Sequence, residues 1–546
     1  MTDPPTIRRP EPPQPPSAGP RPVIAPPDVE NLFHRWFLAK PRRGVGVPVR
    51  VGNDVTPYID YDRYYAAAGE ALSAAGPRSV VLLAGWALGR DTPVSVAGRS
   101  VRIDDQLAAV GSRGGKVRVL LSGHLGHPNQ DAVTWLNGKP GCMAIVDDRV
   151  RIAGCFHQKA LVVIDRQVVA FVGGMDFGGD RLADLSSPDP AKRRGPWHDV
   201  QVRISGPAAA EVYETLAQRW ESWPANSGNP LPRVPAGGGA RGAKRAVQVV
   251  RTYGNPRSGV PLPTLQKKNL ALDLRPGIRP FLGQRPNEFS FAPTGESSIH
   301  DLLVQAIRAT ERHIYVEDQY FIASAAIGGD DELLRALADT IAKPTFTQLI
   351  VLTCGVGTIQ GELYQVNRRR KALWSRIASK YPDRVSVWAY KGGQDRSFWV
   401  HSKMWLFDDT FAVIGSANFN RRGLSHDGEL GVGVLDLEKK GWVRELRKQL
   451  WLKHLPTDHH KVTAEHVHDF ETGRRHWVDT KDTLLARLDL QVGDPFQPDQ
   501  FLVCNDRPVA ERVKPFRAVA CQPGVLGVPL SDFESQWNLV LDPDGT

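Results

Sequence analysis

The chain lacks most of the features that would place it at a glance. Among its 546 residues there are five cysteines (Cys142, Cys155, Cys354, Cys504, Cys521) and four methionines. Five thiols cannot all pair internally, and none stands in the Cys-x-x-Cys spacing of a zinc or redox site. A disulfide scaffold is thereby excluded, and reduced thiols in a cytoplasm are the expectation. No apolar run approaches the roughly eighteen residues of a membrane-spanning helix. No secretory leader is expected either, because eleven of the first thirty residues are proline and no apolar segment follows a basic start. The predicted location is cytoplasmic or peripheral to a membrane, with export as an effector by a route independent of the general secretory machinery left open.

The composition is that of an ordinary globular protein, with 41% hydrophobic and 23% charged residues. A net charge of +10 favours anionic partners, either nucleic acid or an anionic membrane surface, and does not choose between them. Residues 1–30 read as a disordered, proline-rich tail. Residues 31–235 form a first lobe and 246–455 a second, separated by a stretch that contains Gly237, Gly238 and Gly239. Residues 456–546 read as an irregular C-terminal extension.

Helical periodicity is expected over 64–75, 208–220, 300–312 and 364–379. Strands are expected over 80–86, 117–121, 200–204, 314–316, 349–353 and 385–389. This alternation predicts an α/β fold: two similar lobes, each a mixed β-sheet flanked by helices, packed about a pseudo-twofold axis.

One pattern occurs twice. His401-Ser402-Lys403 runs into an apolar strand and then into Gly415-Ser416-Ala417-Asn418, and His157-Gln158-Lys159 runs into another and then into Gly173-Gly174-Met175-Asp176. A histidine and a lysine two apart on an extended segment face the same side. Small residues at the turn allow backbone and an amide to approach a ligand. Such a face offers a nucleophile or acid beside a fixed positive charge, the parts of a phosphate-handling site. His459-His460-Lys461 has the same spacing but neither the strand nor the glycine turn. The surrounding His454, His459, His460, His466 and His468 read as a solvated loop, and no metal site is expected.

The two full copies resemble the phospholipase D superfamily, whose signature is a pair of His-x-Lys-x4-Asp motifs in one chain. The second copy keeps the spacing with Asp408. In the first, Asp165 comes one residue late, which on a strand reverses the face unless a bulge absorbs it. Pro196-Trp197-His198-Asp199-Val200, Gly206-Pro207-Ala208-Ala209 and the run Ile314 to Phe321 resemble the large eukaryotic-like branch. The resemblance covers roughly residues 50–455.

The resemblance implies an active site at the lobe interface. His157 would attack phosphorus, His401 would act as acid and base, and Lys159 and Lys403 would hold the phosphate oxygens. Asp199 is expected to orient His157, and Glu429 to orient His401. Asn418, Asp176, Ser416 and Gly174 are expected around the phosphate, with Asp165, Asp408 and Gln319 in support. No cofactor and no metal are required. The implied reaction is hydrolysis, and transphosphatidylation, of the distal phosphodiester of a glycerophospholipid to give phosphatidic acid. The expected partner is a phospholipid surface rich in phosphatidylcholine or phosphatidylethanolamine, met by a monomer. A nuclease is the weaker alternative, because superfamily nucleases are mostly short one-motif chains that dimerise. Cardiolipin synthase-like transfer and a catalytically dead membrane binder complete the alternatives.

Overall fold

The computed structural model describes residues 27–488 apart from 124–128, 151–154, 184–195, 224–225, 227–230, 235–244, 255–288, 323–331, 355–373, 375–376, 392–398 and 438–440. Much of the glycine-containing stretch between the expected lobes, most of the helix expected over 364–379 and most of the N-terminal tail lie outside the described residues.

Seven strands build the first lobe: β1 (Arg50–Ile59), β2 (Val80–Gly85), β3 (Lys116–Ser122), β4 (Cys142–Asp147), β5 (Ala160–Ile164), β6 (Val168–Gly173) and β7 (Val200–Ser205). Seven more build the second: β8 (Arg245–Tyr253), β9 (His313–Asp318), β10 (Gln348–Leu352), β11 (Val385–Tyr390), β12 (Lys403–Phe407), β13 (Phe411–Gly415) and β14 (Glu429–Asp436). They lie in the order β4-β3-β2-β5-β6-β7-β1-β8-β14-β13-β12-β9-β10-β11, so each strand of the second lobe answers the strand seven places earlier. Pairing is parallel among β2, β3 and β4 and among β9, β10 and β11, and antiparallel elsewhere in both halves. The fold is mixed α/β, and its topology repeats. The halves join edge to edge through an irregular antiparallel pairing of β1 with β8.

The motif strands β12 and β13 are buried along their whole length, which explains their unbroken apolar sequence. Helices over Tyr61–Ala74, Ile103–Ser112 and Asn129–Asn137 cover the outer face of the first lobe. Helices over Pro27–Trp36, Ser298–Ala309 and Glu332–Ala342 cover that of the second. A third core lies between the lobes and takes in Val202, Ile204, Val247, Val249, Ala412 and Ile414. The helices Pro207–Glu221 and Trp442–His454, which follow β7 and β14, pack into it.

Two expected boundaries move. A helix begins at Pro27, inside the stretch assigned to the tail, and Trp36 stacks on Phe411 of the second lobe. The chain also does not become a separate extension after residue 455. Phe470 and Trp477 pack on Trp451, and Leu485–Arg487 adds a strand beside β11. The indole of Trp451 is fully buried, with the later segment packed on it as well as Tyr315.

The late Asp165 is explained without a bulge. In the second hairpin the last rung is Phe407 with Phe411, whereas in the first the equivalent rung, Val163 with Val169, is followed by one more, Ile164 with Val168. The first hairpin is one rung longer, its face is kept, and Asp165 and Asp408 both open the turn at its far end. There Asp408 accepts the backbone N–H groups of Glu311, Arg312 and His313, and Asp165 accepts the Ser79 hydroxyl at 3.2 Å. Both acids secure turns remote from the motif histidines and do not support the site directly.

Candidate active site

Each motif histidine sits just ahead of its strand and is tied to the opposite lobe by a backbone rung. His401 donates its N–H to the carbonyl of His198 at 2.7 Å, within a two-rung parallel ladder of Trp399–Val400 with Trp197–His198. His157 donates to the carbonyl of Gly428 at 2.8 Å, beside a single bridge of Phe156 with Gly428. In both cases the rung partner immediately precedes an acid, Asp199 or Glu429.

The acids are therefore crossed. The Nδ1 of His401 meets Asp199 Oδ2 at 2.6 Å, and the Nδ1 of His157 meets Glu429 Oε1 at 3.1 Å. This reverses the expectation that each acid serves the histidine preceding it in sequence. The reason is topological. β7 and β14 begin at the interface, so the residue at the head of each reaches the neighbouring lobe's histidine rather than its own. His157, Lys159, Asp199, His401, Lys403 and Glu429 are all at most 5% exposed.

Around Asp199, burial alone would raise the carboxyl, but the charges of His401 and Lys403 and the Val200 N–H more than offset it and hold it below the ordinary range. Tyr61, which no sequence signal marked, places its hydroxyl 3.1 Å from Asp199 Oδ2 and 3.3 Å from His401 Nδ1. On the other side the carbonyl of Ser416 accepts from His157 Nδ1 at 2.9 Å, and its hydroxyl donates to Glu429. Ser416, expected at the phosphate, thus buttresses the acid–histidine pair. Gly174, also expected there, lies instead against Asp199: a β-carbon on it would stand 2.3 Å from Asp199 Oδ1.

The lysines are held alike and backed differently. Lys159 Nζ reaches the carbonyl of His157 at 3.1 Å and Asp176 Oδ2 at 3.3 Å, and Lys403 Nζ reaches the carbonyl of His401 at 2.5 Å and Gln319 Oε1 at 2.9 Å. Asp176 also accepts the Trp86 N–H at 2.9 Å, so it is a support rather than an exposed phosphate contact. Asn418 is buried in the corresponding turn of the second lobe. Asp318 accepts the N–H groups of Tyr320, Phe321 and Phe419, and burial lifts its carboxyl to about 6.

Trp197 stacks on Trp399 at 5.4 Å between ring centres and leans over His401 at 5.0 Å. Trp399 is thus packed. His454 departs from the expected solvated loop. It is fully buried and its Nε2 lies 3.0 Å from Glu317. His459 and His468 are exposed as expected.

Residues 303–451 match the family model described as "Cardiolipin synthase, PLD-like domain". The chain is 24% identical over 415 residues to phospholipase D alpha 3 of Arabidopsis thaliana, covering 55% of this chain and 48% of that protein. It is 23% identical over 430 residues to phospholipase D alpha 2 of Oryza sativa subsp. japonica, covering 58% and 51%. The chain spans about half the length of the curated relatives it matches. Among solved structures it is similar to a phosphatidylserine synthase of Haemophilus influenzae Rd KW20, with a TM-score of 0.48 and 14% identity over 75% of this chain and 87% of that one. It is also similar to Nuc, a phospholipase D family member from Salmonella typhimurium, with a TM-score of 0.22 and 18% identity over 29% and 86%. No helix among the described residues is long and apolar enough to cross a membrane. Two His-x-Lys hairpins that exchange their acids across a repeated α/β fold stand beside the matched domain and the plant relatives, and together they support a likeness of the chain to the phospholipase D superfamily.

Proposed function

We propose that the protein is a phospholipase D, cleaving the distal phosphodiester of a glycerophospholipid through a phosphohistidine on His157. The observation that carries this reading is the pair of crossed acid–histidine contacts. An acceptor on Nδ1 fixes the tautomer and directs chemistry to Nε2. His157 Nε2 attacks phosphorus in line, the P–O bond to the head group breaks, and the leaving oxygen takes a proton from His401 Nε2. Water, or another alcohol, then gives its proton back to His401 while its oxygen displaces His157, which splits one hard displacement into two easier ones. Lys159 and Lys403 supply the positive charge for the phosphate oxygens. The substrate surface is a phospholipid membrane that presents phosphatidylcholine or phosphatidylethanolamine, and the basic net charge suits one that also carries anionic lipid.

The test is release of choline or ethanolamine, with formation of phosphatidic acid, from liposomes of defined composition, run beside DNA cleavage. Head-group release without DNA cleavage supports the reading, and cleavage of DNA alone overturns it. The match to a cardiolipin synthase-type domain favours one second reading, phosphatidyl transfer to an alcohol. Both share the intermediate. Added ethanol should divert product to phosphatidylethanol, and an enzyme inert until an alcohol is supplied would be a transferase.

A further inference from the structure

Behind His401 lies a buried charged cluster that the proposed reaction does not use. His198, fully buried, places Nε2 2.7 Å from Glu317 Oε2 and Nδ1 2.8 Å from Asp60 Oδ1. Glu317 also accepts from Tyr315 at 2.7 Å and meets His454 Nε2 at 3.0 Å, while the Tyr390 hydroxyl contacts His454 Nδ1. Lys453 bonds Asp60 and stands 2.6 Å from His198 Nδ1. Asp60 and His198 come from the first lobe, Tyr315, Glu317 and Tyr390 from the sheet of the second, and Lys453 and His454 from the helix after β14. The cluster thus staples both lobes and that helix together beneath one catalytic histidine.

Its position relative to the dyad is specific. The carbonyl of His198 holds the His401 N–H, the next residue is Asp199, and the backbone N–H of Asp60 holds the Asp199 carbonyl at 2.9 Å. Asp60 does so at φ 71° and ψ 159°, a conformation that is otherwise essentially confined to glycine and persists only where its surroundings enforce it. On the His157 side the residue matching His198 is Gly428, where a β-carbon would stand 2.3 Å from the Phe156 ring, so no such staple can exist there. We propose that His198 is a positioning residue for His401: its ring, seated between Asp60 and Glu317, locks the short strand that carries Asp199 and so holds the general acid on the leaving oxygen.

Glu317 can only accept, so His198 Nε2 carries a proton. Burial and Lys453 pull the His198 ring down, but Glu317 and Asp60 outweigh them and raise it. Burial pushes His454, on the same carboxylate, down to about 4. The ligand atoms of His198, Glu317 and His454 lie within 4.8 Å of one another, close enough to hold a metal ion. The neighbouring ammonium of Lys453 and the direct N–O contacts favour the hydrogen-bonded arrangement.

This inference rests on the assignment of His401 as the acid, and the test separates the two. Wild type, His198→Gln and His401→Ala are assayed on phosphatidylcholine, whose leaving alcohol needs a proton, and on phosphatidyl-p-nitrophenol, whose leaving phenolate does not. Because both substrates share the later step in which His401 acts as base, the reading is the single-turnover rate of head-group release: His198→Gln should lose about 100-fold on the first and no more than about 3-fold on the second, with the half-saturating lipid concentration little changed, since a positioned acid is worth about 10²–10⁴. His401→Ala should show the same selectivity more strongly. No selectivity in His401→Ala sinks the acid assignment and this inference with it. Selectivity there, with equal losses on both substrates in His198→Gln, sinks the inference alone. If His198→Gln does not fold, Asp60→Asn serves, because it keeps the size of the side chain and removes only its charge. It should show selectivity of about 5-fold, and equal losses would overturn the proposal. One equivalent of tightly bound metal in purified wild type, lost in these variants, would also overturn it.

Discussion

The two motif histidines are held by one device built twice, and the differences between the copies are informative. His157 rests on Glu429 and the Ser416 carbonyl, and a single bridge ties it across the interface. His401 rests on Asp199 and Tyr61, is tied by a two-rung ladder, and has the buried His198 cluster behind it. A nucleophile becomes bonded to phosphorus during the cycle, whereas an acid must deliver a proton, step aside for water and take a proton back. Under the proposed reaction, the more heavily braced histidine is the one whose placement must survive both half-reactions.

The largest expected effect tests the pair as a unit. His157→Ala and His401→Ala should each reduce head-group release by about 10⁴-fold or more, because the two roles are not additive. On quenching during turnover, peptide mass spectrometry should place the phosphoryl label on the His157 peptide. A label on the His401 peptide would exchange the roles assigned to the two lobes.

A smaller effect tests the crossing itself. Asp199→Asn and Glu429→Gln should each lower kcat by about 10²–10⁴ through loss of tautomer control. The sharper readout is the ring NMR signal of each histidine. Removing the carboxylate that faces Nδ1 disturbs the imidazole it holds, so Asp199→Asn should shift the Nδ1–H resonance of His401 and leave that of His157 nearly unmoved, and Glu429→Gln should do the reverse. The uncrossed pattern would disprove the geometry. Gly174→Ala should behave as a weak copy of Asp199→Asn, since its methyl would meet the Asp199 carboxylate. A destabilisation of about 1–3 kcal/mol in thermal unfolding, with kcat down by more than KM changes, is expected.

The repeat, the interface site and the motif residues were legible because period, spacing and small-residue turns are local properties of the chain. The longer first hairpin was legible too, although it was read as a register problem: Asp165 to Asp176 spans one residue more than Asp408 to Asn418, the sign of a rung added to both arms. The crossing of Asp199 and Glu429 was not legible, because order along the chain does not say which lobe the head of a strand faces. Tyr61 and His454 were hidden for a related reason. Their roles depend on a helix start and a helix end being brought under the site by packing between lobes. The staple was half visible, since His198 stands in the quoted Trp-His-Asp-Val and Glu317 in the quoted run from Ile314, but nothing local joins them.

The smallest effect concerns the turn that carries Asp176 in one lobe and Asn418 in the other. Each lobe clasps this turn to the end of its second strand with a carboxylate, but from opposite sides. In the first lobe Asp176 reaches back to the Trp86 N–H, and Gly85 leaves room for it. In the second Asp318, at the place of Gly85, reaches forward to the Phe419 N–H. Asp176 is paired directly with Lys159, whereas the buried carboxyl of Asp318 is raised from 3.8 to about 6. A carboxyl whose pKa is higher folded than unfolded binds its proton more tightly in the folded state. Its contribution to stability is therefore full below about pH 4 and is lost as the pH rises through 6, by a shift on the order of 3 kcal/mol. Asp318→Asn cannot ionise. It keeps an acceptor for Tyr320 and Phe321 but turns an amide N–H toward that of Phe419, so it should be less stable than wild type at pH 4. Between pH 4 and 7.5 the difference between the two proteins, measured by denaturant unfolding, should move toward the variant. A difference that stays flat, or moves the other way, would mean that Asp318 is ionised throughout and that the two clasps are electrostatically alike.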